Sequence, residues 1–197
     1  MPDTDTDESL LGRARAGDEQ AFLSIYMRHR AGVYRFACRL LGDEAAAEDV
    51  THDCFLSLFK HPERFDASRG AALRTYLFAA ARNLSLKRFR RAAQETLIDE
   101  TLEERSAPAC DEPLSRLLEA ELSATVRAAV HALPALQREV LILFEFENLS
   151  LQEIALVVGA EVNTVKSRLG RARDGLRRAL APHLAARRTE LVGASEK

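Results

Sequence analysis

The sequence has no tryptophan, two methionines, three tyrosines and three cysteines in 197 residues. The cysteines (Cys38, Cys54, Cys110) are odd in number and widely spaced, with no CxxC pair. That excludes a disulfide framework or a zinc knuckle as the organising device and suits a reducing cytoplasm. Cys38 and Cys54 fall on apolar stripes and read as buried fillers, leaving Cys110 as the expected exposed thiol. Nine glycines and six prolines leave little room for long loops or β-turns. No apolar run approaches the roughly 18 residues of a membrane span, and the acidic start MPDTDTDESL has no apolar core. Membrane insertion and secretion are therefore not expected. The motifs GxxxxGK[ST], GxSxG and HExxH are all missing. The five histidines are scattered without metal-ligand spacing. Neither a catalytic residue, a cofactor nor a metal is indicated, and the chain is not expected to be an enzyme.

Charge is abundant but unevenly placed. The formal net charge is −2, yet the mean hides two basic blocks. Asn163–Arg188 carries Lys166, Arg168, Arg171, Arg173, Arg177, Arg178, Arg187 and Arg188 against Asp174 alone. Arg82–Arg91 carries Arg82, Lys87, Arg88, Arg90 and Arg91 and no acid. Between them, Glu95–Glu121 carries nine acids against Arg105 and Arg116. Such asymmetry points to nucleic acid as a partner more than the mean argues against it.

Apolar spacing predicts helices throughout. The first runs from about Glu19 to the Gly42-Asp43 break, with Phe22, Ile25, Tyr26, Val33, Phe36 and Leu40. The second carries Ala47, Val50, Cys54 and Leu58 and is stopped by Pro62. After a loop at 63–70, the third runs from about Ala72 to Arg91. Residues 1–17 read as a tail and helix start, 18–91 as a first domain, 92–113 as an acidic flexible tether, 114–180 as a second domain and 181–197 as a frayed tail beyond Pro182. In the second domain a helix ends near Leu133, and Pro134 suits the first turn of the next. Ser150–Glu153 is a capping box. Gly159 permits a tight turn, and Asn163 can cap a last helix with the stripe Val165, Leu169, Ala172, Leu176. The fold class is all-α: two small helical domains on a flexible acidic linker.

The sharpest local signal is Leu149–Leu180. Small Ala155, turn Gly159 and apolar Val165 stand at helix-turn-helix spacing. The alanine allows close helix approach and the glycine tolerates a left-handed turn. The helix after the turn carries cations and a hydroxyl of the kind that read guanine edges and hold phosphates. An ordinary basic surface helix is the plainer alternative.

This segment, EIA followed by a turn and TVKSRLGRAR, resembles the C-terminal DNA-binding region of sigma-70-family RNA polymerase sigma factors, specifically the extracytoplasmic-function (ECF) group. The resemblance implies that the helix reads the −35 promoter element in the major groove, through Thr164, Lys166, Ser167, Arg168, Gly170, Arg171 and Arg173. Gly170 stands where the family often has a larger side chain. AEDVTHDCFLSLF (47–59) resembles the family helix that docks on the clamp of the polymerase largest subunit. Glu48, Asp49, Val50, His52, Asp53, Phe55 and Leu56 would make that contact, with His52 where glutamine is more common. LRTYLFAAARNLSLKRFRR (73–91) resembles the −10-reading, strand-opening region. Arg69, Tyr76, Asn83, Lys87, Arg88 and Arg91 would act there with the loop 63–72. Tyr76 replaces the family's tryptophan and is read as core rather than as a base-stacking ring.

The resemblance thus implies a cytoplasmic alternative sigma factor. Its partners would be core RNA polymerase (clamp and flap), promoter DNA and an anti-sigma factor. Two rivals are a stand-alone helix-turn-helix regulator, for which no dimerisation heptad is present, and a sigma mimic, for which the DNA-reading helix keeps too many cations.

Overall fold

A computed structural model describes residues 5–65, 72–96 and 117–194 of the chain. All regular elements among these residues are helical. They are α1 (Asp7–Arg15), α2 (Glu19–Leu41), α3 (Glu44–Lys60), α4 (Leu73–Thr96), α5 (Leu117–His131), α6 (Ala135–Leu141), α7 (Leu151–Val158) and α8 (Val162–Ala194). A 3-10 turn (Pro62–Arg64) follows α3, and a π-helical turn (Ile142–Phe146) continues α6.

Helix starts follow from side-chain oxygens that accept otherwise orphaned amides. Thr6 caps α1, Asp18 caps α2 and Asp43 caps α3. Gly42 ends α2 in the left-handed conformation at φ 70°. Ile25, Val33, Phe36, Ala37 and Leu40 of α2 pack against Val50, Cys54 and Leu58 of α3 and Leu73, Leu77, Phe78 and Ala81 of α4, all buried. Phe36 and Phe78 meet edge to face at 5.4 Å between ring centroids. In the second half, Val140–Leu143, Ile154, Val158, Val165, Leu169 and Ala172 supply the apolar surface.

The structure amends the sequence reading at several points. Residues 7–15 are a helix rather than tail, and Leu10 and Leu11 are buried. Arg15 of this helix donates to the carbonyls of Pro62 (2.5 Å) and Phe65 (2.7 Å), tying α1 to the turn after α3. Pro134 is the residue before α6 rather than part of its first turn. Asn163 lies inside α8, which begins at Val162, so it is not the cap. Helix α8 passes through Pro182 to Ala194 instead of fraying there. A proline removes one amide and crowds one carbonyl, and the exposed site of Pro182 leaves that carbonyl open to water. Cys54 is a buried thiol, pushed up to about 12 by burial. Cys38 is fully buried as well. Most of the tether, 97–113, lies outside the described residues, as does Cys110.

The two halves do not stand apart. Buried residues of both form one continuous apolar cluster, with α4 packed on α7 and α2 touching α5, α6 and the π turn.

Candidate nucleic-acid and polymerase interfaces

The helix-turn-helix is built as its residues require. Ser150 Oγ accepts the Glu153 amide at 3.2 Å, and the Glu153 carboxylate accepts the Ser150 amide at 2.8 Å. This reciprocal cap starts α7; the Ser150 hydroxyl donates to the Glu153 carboxylate at 2.7 Å, and this bond, followed by that of the Ser150 amide, holds the Glu153 carboxyl below its usual range. Gly159 ends α7 at φ 63°, in the left-handed region that favours glycine. Val165, Leu169 and Ala172 are then buried beneath α8. That burial turns Thr164, Lys166, Ser167, Gly170 and Arg171 outward as one solvent-exposed surface.

Two cations expected on that surface are otherwise engaged. The Arg168 side chain is only 23% exposed and stands 3.8 Å from Glu139. Arg173 is exposed but forks onto Glu145 at 2.7 and 2.9 Å and stacks over Phe144. Their guanidinium groups are matched by carboxylates of the same chain in this conformation.

On α3, Glu48, Asp49, His52, Asp53 and Leu56 are exposed on the outer face. Val50 and Phe55 are buried, so they support that face from behind rather than lie on it. Beside it runs an apolar groove of about 560 Å³, lined by Phe22, Leu23, Tyr26, Phe55, Leu56 and Phe59 among others. Its walls are set by edge-to-face pairs, Phe22 on Phe59 and Tyr26 on Phe55. Leu23 and Phe59 are exposed to 48% and 57%, which leaves an apolar strip whose polar neighbours are Glu19, Gln20 and His52. The sequence places Phe55 and Leu56 in the docking contact and Phe22 and Tyr26 on a core stripe; the structure brings all four to one groove.

On α4, Asn83 and Lys87 are exposed, and Arg88 reaches back to Asp49 of α3 at 2.8 Å. Tyr76 packs edge to face on buried Phe65 at 5.6 Å, and burial pushes its hydroxyl pKa up. This is core packing, as the sequence suggested. Arg91 lies on α4, and Arg69 falls outside the described residues. Among the described residues no group of His, Cys, Asp and Glu is arranged to hold a metal, and no helix is long and apolar enough to cross a membrane.

The seam between the halves is the feature that sequence reasoning missed. Glu139 of α6 is 1% exposed and receives Arg82 of α4 through two hydrogen bonds, 2.7 and 3.1 Å. Glu147, 2% exposed, faces Arg39 at 3.4 Å, Arg74 at 3.9 Å and Arg35 at 4.0 Å. Burial pushes the Glu147 carboxyl up, and the three arginines pull it back. Arg74 also donates to the Glu147 carbonyl, and Arg39 lies over the Phe146 ring. Arg138 donates to the Leu40 carbonyl at 3.1 Å and to the His131 carbonyl. In the sequence the seam shows only as acids set in an apolar stretch, Glu139, Glu145 and Glu147, with nothing to single out the two that are buried.

Comparison with known proteins gives these surfaces a context. Residues 25–95 match the family model "Sigma-70 region 2", and residues 123–175 match "Sigma-70, region 4". The ECF RNA polymerase sigma factor SigW of Bacillus subtilis is 30% identical over 176 residues, covering 85% of this chain and 93% of that protein. SigL of Mycobacterium tuberculosis is 34% identical over 170 residues, covering 83% and 91%. Among solved structures, the sigma factor RpoE in complex with the anti-sigma factor NepR from Bartonella quintana superposes with a TM-score of 0.70 at 25% identity, covering 81% of this chain and 96% of that one. CnrH in complex with the cytosolic domain of CnrY superposes at 0.67 and 27% identity, covering 90% and 99%. The chain therefore belongs to the ECF group of sigma-70-family sigma factors, alternative sigma factors that bind core RNA polymerase and direct transcription initiation at promoters.

Proposed function

We propose a division of labour among the three surfaces. The outer face of α3 (Glu48, Asp49, His52, Asp53, Leu56) docks on the polymerase clamp, with the neighbouring apolar groove as the desolvated centre of that contact. An apolar centre with a charged rim is the usual anatomy of a specific interface. Helix α4, through Asn83 and Lys87, and the loop 63–72 handle the opened −10 strand, where a splayed base needs a pocket and the backbone needs cations. The exposed surface of α8, Thr164 to Arg171, enters the major groove at −35. The chain works without catalysis of its own and in the cytoplasm, where core polymerase is. Because both solved neighbours were captured with proteins bound to them, one named an anti-sigma factor, we assign this chain a regulator of the same kind.

The observation that carries the reading is the coexistence of two separate exposed surfaces, one acidic and apolar on α3, one basic on α8. A stand-alone DNA-binding regulator would need only the second. The test is run-off transcription with purified protein, sigma-free core polymerase and fragmented genomic DNA. Discrete starts sharing paired upstream motifs are expected. No binding to core polymerase would overturn the proposal.

A further inference from the structure

The first half presents four arginines, Arg35 and Arg39 on α2 and Arg74 and Arg82 on α4, that converge on two carboxylates of the second half, Glu139 and Glu147. The spacings (i, i+4 on α2; i, i+8 on α4) place each pair on one helix face. Both acids are almost wholly buried, yet each finds its cations mainly across the seam rather than in its own half. A buried carboxylate is tolerated only when paired and hydrogen-bonded. The docked position of the second half is therefore specified by charge, over and above its apolar contact.

That position is incompatible with reading both promoter elements. Sites centred at −10 and −35 are about 25 base pairs apart, roughly 80 Å of duplex. A compact chain of this length has a radius of gyration near 16 Å, hence a diameter of roughly 40 Å. The halves must part during initiation. When they do, Glu139 and Glu147 leave with the second half, and four arginines are left facing solvent beside the −10-reading helix.

We propose that this arginine face is a latent DNA-phosphate site of the first half, occupied in the unbound protein by Glu139 and Glu147 as internal stand-ins for phosphate. The carboxylates and a phosphodiester offer the same chemistry, an anionic oxygen pair for a guanidinium fork. The closed form thereby masks its own DNA site, and opening exchanges one anion for another. This rests on the sigma-factor reading only in requiring both elements to be engaged together; the masked site itself is tested without polymerase.

The test compares two full-chain double variants, Glu139→Gln/Glu147→Gln and Arg35→Gln/Arg74→Gln. Small-angle scattering measures opening, and titration with a fluorescein-labelled 30-base-pair duplex of arbitrary sequence measures phosphate binding across a salt series. Both variants should open, raising the radius of gyration by roughly 5–8 Å as the halves separate. On DNA they should diverge. Loss of the acids should tighten binding about tenfold, more than the net-charge control Glu8→Gln/Glu19→Gln, which alters two exposed acids at the far end of the first half. Relative to the opened acid variant, loss of the arginines should weaken binding and lower the salt slope by about 2, one for each phosphate contact. If the acid variant is folded by circular dichroism but neither opens nor binds more tightly than the control, the masking is wrong. If the arginine variant opens but its salt slope equals that of the acid variant, the face takes no phosphate. Arg35 and Arg74 are 40% and 43% exposed, so their variant should stay folded and decide the matter even if the buried acids do not tolerate change. Failure of either arm leaves the run-off result untouched.

Discussion

Three glycines give a graded prediction whose signs are set by geometry. Gly170 lies in the middle of α8 on the exposed surface, and a Cβ built there meets nothing within 4 Å. Glycine costs about 1 kcal/mol relative to alanine in a helix interior, because its unfolded chain has more freedom to lose. Gly170→Ala should therefore stabilise the free protein by about 1 kcal/mol, raising Tm by roughly 2–4 °C for a chain this size. Gly175, five residues on in the same helix, has the same propensity argument but not the same space: its Cβ would come 2.8 Å from Leu133 Cδ2. There the gain should be cancelled or reversed as buried Leu133 is displaced. Gly42 should be worst, because it sits at φ 70° and its Cβ would meet the His131 ring at 2.6 Å. A left-handed alanine alone costs about 1–2 kcal/mol, and the contact adds to it. Thermal unfolding followed by circular dichroism ranks the three. A fall in Tm for Gly170→Ala, or a neutral Gly42→Ala, would refute the reasoning. Gly170→Ala also separates stability from function: on a groove-facing surface the methyl should alter −35 duplex binding even as Tm rises.

Four further outcomes are expected. Arg171→Ala should weaken −35-dependent transcription while core binding survives; equal loss of both in a folded protein would contradict the assignment. Leu56→Glu with Phe59→Ser should cut core-polymerase affinity in a pull-down at least tenfold with Tm little changed, since both side chains are substantially exposed. Ser150→Ala removes the α7 cap and should cost about 1 kcal/mol in denaturant unfolding. His131 is held below its ordinary pKa by burial and then by Arg138. The neutral ring is therefore favoured when folded, and its contribution, full above about pH 6.5, is lost as pH falls through that value. Glu147, pushed up by burial, works the other way at lower pH. The parent's Tm should accordingly fall between pH 7 and pH 5, and His131→Gln should flatten that fall.

Much of this was legible because helical periodicity is a local property. The stripes of α2, α3 and α4 and the Ala155–Gly159–Val165 spacing placed helices and turn within a few residues. Helix α1 escaped because nine residues with one adjacent apolar pair, Leu10-Leu11, show no period; its true signal was the cap Thr6 followed by Asp7 and Glu8. Helix α8 was cut short at Pro182 by a rule about hydrogen bonds, which an exposed helix side satisfies with water. The α2 wall of the groove beside α3 was hidden because Phe22 and Tyr26 fall on a core stripe, and a ring can be partly buried while one edge lines a surface. The seam was out of reach for another reason. Arg82 and Glu139 are 57 positions apart, and Arg39 and Glu147 are 108 apart. No window of sequence contains both members of either pair.

The seam also changes what a basic block means. Counting cations in 163–188 suggested a surface wholly given to DNA, but burial of Val165, Leu169 and Ala172 fixes the rotation of α8 and so divides its cations by direction. Lys166 and Arg171 point to solvent, whereas Arg168 turns to Glu139 and Arg173 to Glu145. The same division runs through α4, where Lys87 is exposed and Arg82 is paired across the seam. Each helix thus holds some cations ready for phosphate and some already matched by a carboxylate of the same chain. Matched cations add little to attraction at a distance, because their field is cancelled nearby, but they become phosphate ligands once the acid is withdrawn. A closed sigma factor should therefore show a shallower salt dependence on duplex DNA than its cation count implies, and the deficit should disappear on opening.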